Sequence, residues 1–138
     1  MDNVKEKQLK IFAAKSRIHI IDGIFNAKAG HPGGSLSIAD VLAYLYNGEM
    51  NVDSQNPKDE NRDRLVLSKG HAAPALYATL ALKGYFDESE IIKLRKLGEM
   101  LQGHPDMKHT PGVDMSTGSL GQGVSAAVGM ALAAKLDK

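Results

Sequence analysis

The chain has 138 residues, with 17 basic and 16 acidic side chains and a net charge of +1. This length indicates one domain or part of one, able to bury roughly 70% of its unfolded surface, and the near-neutral charge argues against a protein that binds nucleic acid or an anionic membrane. There is no cysteine, and no run approaches the ~20 apolar residues that span a bilayer, so we expect a cytoplasmic protein without disulfides, thiolate metal sites or membrane contact.

The first thirty residues predict one long helix that ends near Gly30. Five apolar residues fall on one face at helical spacing, with six basic residues on the wetter sides: Val4, Ile11, Ile18, Ile21 and Phe25. Gly30 is the predicted C-cap and Pro32 forbids continuation, so His31 is displayed just past the helix end. His19, in the middle of this helix, is expected to be structural.

A second helix and one strand are predicted next. Ser37 has the position of an N-cap for a short helix over residues 38–46, and the polar residues 49–63 predict a surface loop. Residues 64–67 form a short segment that is apolar after Arg64, which is typical of a buried parallel strand. His71 would then lie at the carboxyl end of a strand, where open α/β sheets bind ligands.

The rest of the chain is predicted to contain three helices, at about 73–83, 87–97 and 121–136. Asp87 and Glu90 have capping-box spacing at the start of the second, and residues 98–118 form a long loop of the kind that is usually functional or mobile. A single strand leaves buried backbone groups unpaired. We therefore interpret the chain as the N-terminal part of an α/β fold, with helices flanking a parallel sheet and mostly helical within this chain. An all-α bundle without the strand is the alternative.

A glycine-rich turn leads into the last helix. Gly118, Gly121 and Gly123 leave the backbone bare where the helix begins, and helix N-termini suit anions such as phosphate. The turn matches neither the dinucleotide fingerprint nor the P-loop, so alone it is a weak signal. Three histidine-bearing loops are predicted to converge on the same cleft as this turn: residues 30–34, 69–72 and 102–105.

Together, these motifs closely resemble the N-terminal segment of transketolase. The matching residues are Lys28-Ala-Gly-His31-Pro-Gly-Gly, Asp63-Arg-Leu-Val-Leu-Ser-Lys-Gly-His71, Gln102-Gly-His104-Pro and Thr117-Gly-Ser-Leu-Gly-Gln-Gly123. Their order and separations also agree, over nearly the whole chain. The resemblance implies that residues 1–138 are the incomplete N-terminal portion of the diphosphate-binding (PP) domain, as in the N-terminal subunit of a split transketolase. Deoxyxylulose-phosphate synthase, phosphoketolase and a non-catalytic interaction module are the alternatives.

The resemblance also implies a reaction and its partners. Transketolases of the pentose phosphate pathway use thiamine diphosphate and Mg²⁺ or another divalent cation to move a two-carbon ketol unit from a ketose phosphate to an aldose phosphate. The cofactor performs the difficult step, while the protein positions groups and moves protons. The Gly-Asp-Gly metal motif and the activating glutamate are expected outside this chain. It would therefore need a complementary C-terminal chain or domains, in a homodimer or heterotetramer, and is expected to be inactive alone.

Six residues match positions with roles in the family. His31 and His104 match catalytic histidines that also contact substrate. The residues matching the cofactor-binding positions are His71, Gly118, Ser119 and Leu120. Imidazole suits such roles because it donates and accepts near neutral pH. Without the resemblance, His31 could equally be a favourable cap at the end of the first helix.

Overall fold

The computed structural model describes residues 2–137, which are mostly helical, as predicted. The α-helices are α1 (Asn3–Ala27), α2 (Pro32–Leu36), α3 (Ala39–Tyr44), α4 (Ala73–Leu82) and α5 (Gln122–Leu136). Shorter turns of helix lie between them: a π-helical turn at Leu45–Glu49 and 3-10 turns at Gly70–Ala72 and Glu88–Lys93. None of the described helices is long and apolar enough to cross a membrane.

Helix α4 forms the centre of the core. All its residues from Ala73 to Ala81 are buried, as expected for a helix that is apolar all round. Around it pack α1, α3 and the 88–93 turn, which contribute the buried side chains of Ile20, Leu42 and Ile91. His31 follows the end of α1 and His71 precedes the start of α4, so the core fixes the position of the chain beside both histidines.

Helix α1 is capped at its start, and its C-cap lies two residues before the predicted one. The Asp2 carboxylate accepts a hydrogen bond from the Lys5 backbone N–H at 2.7 Å. The chain then leaves the helix at Lys28, whose φ of 54° is left-handed, so the prediction that Gly30 is the C-cap was wrong. Gly30 is needed for a different reason, because a Cβ there would lie 2.9 Å from the Ile24 side chain.

The apolar face predicted on α1 is exposed within the described residues. Its members are 46–67% exposed: Val4, Ile11, Ile18, Ile21 and Phe25. The face of the helix that packs on the core consists mainly of small residues. Its buried positions are Ala13, Ser16, Ile20 and Gly23. At Gly23 a Cβ would lie 3.3 Å from Ile91, so the absent side chain lets the 88–93 turn approach closely. His19, expected to be structural, lies 2.6 Å from Glu88 on the same turn.

The segment over residues 64–67 is not paired as a strand within residues 2–137. Because the strands that would pair with it are expected elsewhere in the fold, the strand at these residues stays a prediction. The backbone groups of this segment find side-chain partners instead. The Leu65 N–H donates to the Asp114 carboxylate at 2.7 Å, and the Leu67 carbonyl accepts from the Thr117 hydroxyl at 2.7 Å. These loop side chains take the place of ladder partners, which buried backbone groups require.

The later elements follow the prediction more closely. Asp87 caps the 88–93 turn by accepting from the Ser89 N–H at 2.8 Å, but Glu90 pairs with Lys93 instead of completing the capping box. The turn is a 3-10 helix that ends at Lys93, short of the predicted residue 97. The loop over residues 98–118 carries no helix, as predicted.

Helix α5 begins where the glycine turn predicts, with Gly121 at the N-cap in a left-handed conformation (φ 89°). Gly123 is its only buried residue among those described. Four large apolar residues at helical spacing on α5 are exposed: Val124, Val128, Leu132 and Leu136. Within residues 2–137, the helix is therefore held to the core through its first turn.

Candidate functional site

The glycine turn is fastened to the segment over residues 67–71. The Thr117 hydroxyl donates to the Leu67 carbonyl at 2.7 Å, and the Gly121 N–H donates to the Ser68 carbonyl at 3.0 Å. Since both ends of the turn are bonded to neighbouring residues of one segment, the turn has a fixed place beside the loop that carries His71.

Two glycines allow this close contact between backbones. A Cβ on buried Gly70 would lie 2.8 Å from the Gly118 nitrogen and from the Thr117 carbonyl group. A Cβ on Gly123 would lie 2.9 Å from the Ser68 Cα. Glycine is required at both positions because a Cβ would prevent the two main chains from approaching this closely.

The imidazoles of His31 and His71 lie against each other. Their ring centroids are 5.0 Å apart, and the ring planes make an angle of 63° in an edge-to-face arrangement. A Cβ on Gly34 would lie 3.1 Å from the His71 Nε2, so helix α2, which follows His31, lies against this edge of the His71 ring. His71 is half-buried and His31 is exposed.

Lys69 joins the two loops that carry these histidines. Its ammonium donates to the Gly34 carbonyl at 2.8 Å and to the Ser37 hydroxyl at 3.0 Å. The prediction that Ser37 is an N-cap was therefore wrong, since its hydroxyl donates to the Gly34 carbonyl at 3.1 Å and α3 begins without a side-chain cap. The sequence motif does not reveal this role for Lys69, because it does not show which distant groups the ammonium of a long side chain will reach.

His104 lies beside the glycine turn. Its Cγ is 3.8 Å from the position that a Cβ on Gly118 would occupy. The buried Tyr77 hydroxyl donates to the His104 carbonyl at 2.8 Å and to the Gln102 carbonyl at 3.0 Å, which holds the loop in place. Burial, with a smaller effect of the Asp106 charge, raises the pKa of the Tyr77 phenol, so it stays a neutral donor.

An ion pair supports the loop that enters the turn. The Arg62 guanidinium lies 2.5 Å from the Asp114 carboxylate, which also accepts from the Leu65 N–H. The hydrogen bond to Asp114 raises the pKa of Arg62, despite partial burial that acts in the opposite direction. The sequence offered no signal for this pair, whose members are separated by about fifty residues of mixed polarity.

A cleft of about 350 Å³ opens on the turn and the first residues of α5. It is lined by Met115, Ser116, Thr117, Gly118, Gln122, Gly123 and Ala126. The backbone N–H groups of Gly118, Ser119 and Leu120 have no acceptor within residues 2–137. The Leu120 side chain is 73% exposed beside them. No group of three or more His, Asp or Glu side chains among the described residues could hold a metal ion.

The six predicted site residues thus fall into two neighbouring groups. His31 and His71 form one, and His104 lies with the turn that carries Gly118, Ser119 and Leu120. Gly70 connects them, because it precedes His71 and contacts Gly118. The two groups together offer imidazoles, backbone N–H groups without acceptors in residues 2–137, and one exposed apolar side chain. Such groups can bind an anion and exchange protons with a ligand.

Comparison with known proteins identifies the kind of chain that carries these features. Residues 8–137 match the family model described as transketolase, thiamine diphosphate binding domain. The chain is 62% identical over 108 residues to the 6-deoxy-6-sulfo-D-fructose transketolase subunit SqwG of Clostridium sp. (strain MSTE9), a match covering 78% of this chain and 39% of that protein. It is 45% identical over 130 residues to one of the subunits of the apulose-4-phosphate transketolase of Phocaeicola vulgatus, covering 94% of this chain and 46% of that protein.

A solved structure agrees with these relatives. The transketolase of Leishmania mexicana superposes with a TM-score of 0.87 at 37% identity, over 91% of this chain and 19% of that protein. The chain therefore spans less than half the length of each of these three relatives.

Proposed function

Because the chain belongs to the transketolase family, we propose that it supplies part of a thiamine diphosphate site at which a two-carbon ketol unit passes from a ketose phosphate to an aldose phosphate. Its residues would act together with the sequence that completes such enzymes in longer relatives. One observation carries the proposal: the two groups of predicted site residues are held side by side through the 67–71 segment.

The residues of the turn fit a diphosphate. The N–H groups of Gly118, Ser119 and Leu120 lack acceptors within residues 2–137, and they precede the N-terminus of a helix of 15 residues. Such a helix end favours negative charge. When bound, thiamine diphosphate supplies a nucleophilic thiazolium carbon that accepts and releases the two-carbon unit. We propose that exposed Leu120 covers its rings, and that Mg²⁺ or another divalent cation is bound by residues outside 2–137.

The three histidines would orient groups and move protons. We assign His71, half-buried under the Gly34 loop, to the cofactor, where a ring N–H would donate to a diphosphate oxygen. His31 and His104 are both exposed. We propose that their ring nitrogens exchange protons with hydroxyl and carbonyl oxygens of the sugar. An imidazole can hold or release a proton near neutral pH, so it suits both the cleavage and the addition steps.

The proposed partners follow from the family and from the two relatives that are themselves transketolase subunits. We propose that a complementary transketolase chain or further domains complete the site, in a homodimer or a heterotetramer. Sugar phosphates are the proposed substrates and the cytoplasm the proposed compartment. The exposed apolar faces of α1 and α5 are consistent with extensive contacts to additional protein.

The test combines the chain with its complementary transketolase chain. Thiamine diphosphate with Mg²⁺ is titrated by calorimetry, and transfer from xylulose 5-phosphate to ribose 5-phosphate is followed by product analysis. We expect binding and transfer in the assembly, both strongly reduced by His71→Ala. The matched control is His109→Ala, at an exposed histidine bonded only to Asp106. Absence of binding in the wild-type assembly would favour a non-catalytic interaction module. Formation of deoxyxylulose phosphate with release of CO2, in a parallel assay that supplies pyruvate and glyceraldehyde 3-phosphate, would favour the related synthase.

A further inference from the structure

We propose that Lys69 is a positioning residue that clamps the His31 loop onto the His71 loop and thereby sets the relative orientation of the two imidazoles. The clamp is a property of this chain's own contacts. Its consequence for catalysis rests on the proposed function. Lys69 itself need not touch cofactor or substrate for this role.

The contacts of the ammonium carry the inference. It donates at 2.8 Å to the Gly34 carbonyl and at 3.0 Å to the Ser37 hydroxyl, and that hydroxyl donates to the same carbonyl at 3.1 Å. The three groups therefore form a closed triangle in which every distance is that of a hydrogen bond. Bonds from an ammonium are stronger than bonds between neutral groups.

One end of the clamp is rigid. The Lys69 carbonyl accepts from the Ala72 N–H at 2.8 Å, and the next residue, Gly70, is packed against the backbone of the glycine turn. Lys69 thus extends from a segment that other contacts already hold. It forms no ion pair with a carboxylate in residues 2–137, so the two oxygens of the clamp are its polar partners there.

The other end of the clamp carries His31 on an exposed stretch. The segment from Gly30 to Gly33 is exposed, and a Cβ on Gly33 would meet no atom within 4 Å. Helix α2 has only five residues and no side-chain cap at its start, and its buried residue is Ser35. The exposed stretch before Ser35 has less support from packing than the Lys69 end of the clamp. The ammonium therefore supplies a specific restraint close to His31, whose ring lies 5.0 Å from that of His71.

The first measurement observes the imidazoles directly in the assembled protein. Lys69→Met keeps the length of the side chain as far as Cε and removes its ammonium. Lys96→Met is the matched control, at an exposed lysine whose ammonium has no polar partner among residues 2–137. With histidine side chains labelled with ¹⁵N, we expect Lys69→Met to shift or broaden the signals of His31 and His71 and to weaken the contact between their ring protons. The chemical shifts of His19 and His109, which are bonded to the carboxylates of Glu88 and Asp106, should not change.

The second measurement separates positioning from simple binding. Misplacing a catalytic group by about 1 Å can cost roughly 100-fold in rate. We expect Lys69→Met to lower kcat by about 10- to 100-fold with a much smaller change in the KM for the sugar phosphate. Ser37→Ala, which removes one acceptor and leaves the charge, should change the same two histidine signals to a smaller extent. If Lys69→Met fails to fold, the same histidine signals are measured in Ser37→Ala.

The third measurement restores the ammonium chemically. The chain has no cysteine, so Lys69→Cys introduces its only thiol. Displacement of bromide from 2-bromoethylamine by the thiolate rebuilds a side chain of lysine length with a terminal ammonium, whereas iodoacetamide leaves a neutral amide. Alkylation before assembly with the complementary chain should restore kcat and the His31 and His71 signals only with the amine reagent.

Two results would overturn the clamp. One is that Lys69→Met leaves the His31 and His71 signals and kcat within about twofold of the Lys96→Met control. The other is equal recovery with both alkylating reagents. Failure of the proposed function looks different: the wild-type assembly would lack cofactor binding and transfer, while the histidine signals would still respond to Lys69→Met.

Discussion

Gly70→Ala is the sharpest test of how the two halves of the site are joined. Gly70 is buried, and its added Cβ would lie 2.8 Å from backbone atoms of both Thr117 and Gly118. Its φ is not in the left-handed region, so the substitution adds no backbone strain of that kind. Any effect would therefore report the contact between the two main chains.

The structure gives the expected size. Ordinary van der Waals contact begins at 3.4 Å, so the glycine turn must withdraw by about 0.6 Å from its present 2.8 Å. That shift strains the bonds from the turn to Leu67 and Ser68, which are 2.7 and 3.0 Å long. Overpacking of this kind costs about 1–3 kcal/mol, and 2 kcal/mol corresponds to a fall in Tm of roughly 6–8 °C for a chain of this size.

The assay is urea and thermal unfolding with Gly129→Ala as the matched control. Gly129 lies inside α5 with open space around it, and alanine is favoured over glycine in a helix by about 1 kcal/mol. The control should therefore be stabilised while Gly70→Ala is destabilised and loses affinity for thiamine diphosphate. Equal stability of Gly70→Ala and the wild type would refute the proposed packing between the His71 loop and the turn.

Two further predictions concern the loop that carries His104. Tyr77→Phe leaves the Gln102 and His104 carbonyls without their buried donor, and it should lower the free energy of unfolding by about 1–3 kcal/mol in urea denaturation. His109→Ala should raise the pKa of Asp106 towards its ordinary 3.8 in a carboxyl ¹³C titration, because the side-chain bond to His109 is the main cause that lowers it. Since that pKa is lowered in the folded chain, the contribution to stability is present above the ordinary pKa and is lost as pH falls through the lowered one.

Local signals in the sequence were reliable where neighbouring residues decide the outcome. The sequence predicted a helix over residues 73–83, where α4 lies, the glycine turn predicted the start of α5, and Asp87 caps the turn that follows it. The resemblance carried by the histidine loops predicted the family, which the match over residues 8–137 confirms. In each case a few adjacent residues contain the physical cause.

Local patterns were insufficient where a distant partner decides the structure. Residues 64–67 have the composition of a strand, but pairing requires a second strand and none forms in residues 2–137, so this strand stays a prediction. Helix α1 carries both an apolar face and a face of small residues, and close packing at Gly23 selected the second for the core. Periodicity alone does not rank two such faces, because burial depends on the neighbour that each one meets.

By itself, the sequence determined which chemical groups are present and the order of the loops that carry them, since motif spacing and glycine positions are properties of the chain. Only the tertiary structure decided that Lys69 bonds to the Gly34 loop, that Tyr77 holds the His104 loop and that Asp114 pairs with Arg62. The physical reason is that a long polar side chain takes its partners from whatever folding brings within about 3 Å, and those partners are dozens of residues away along the chain.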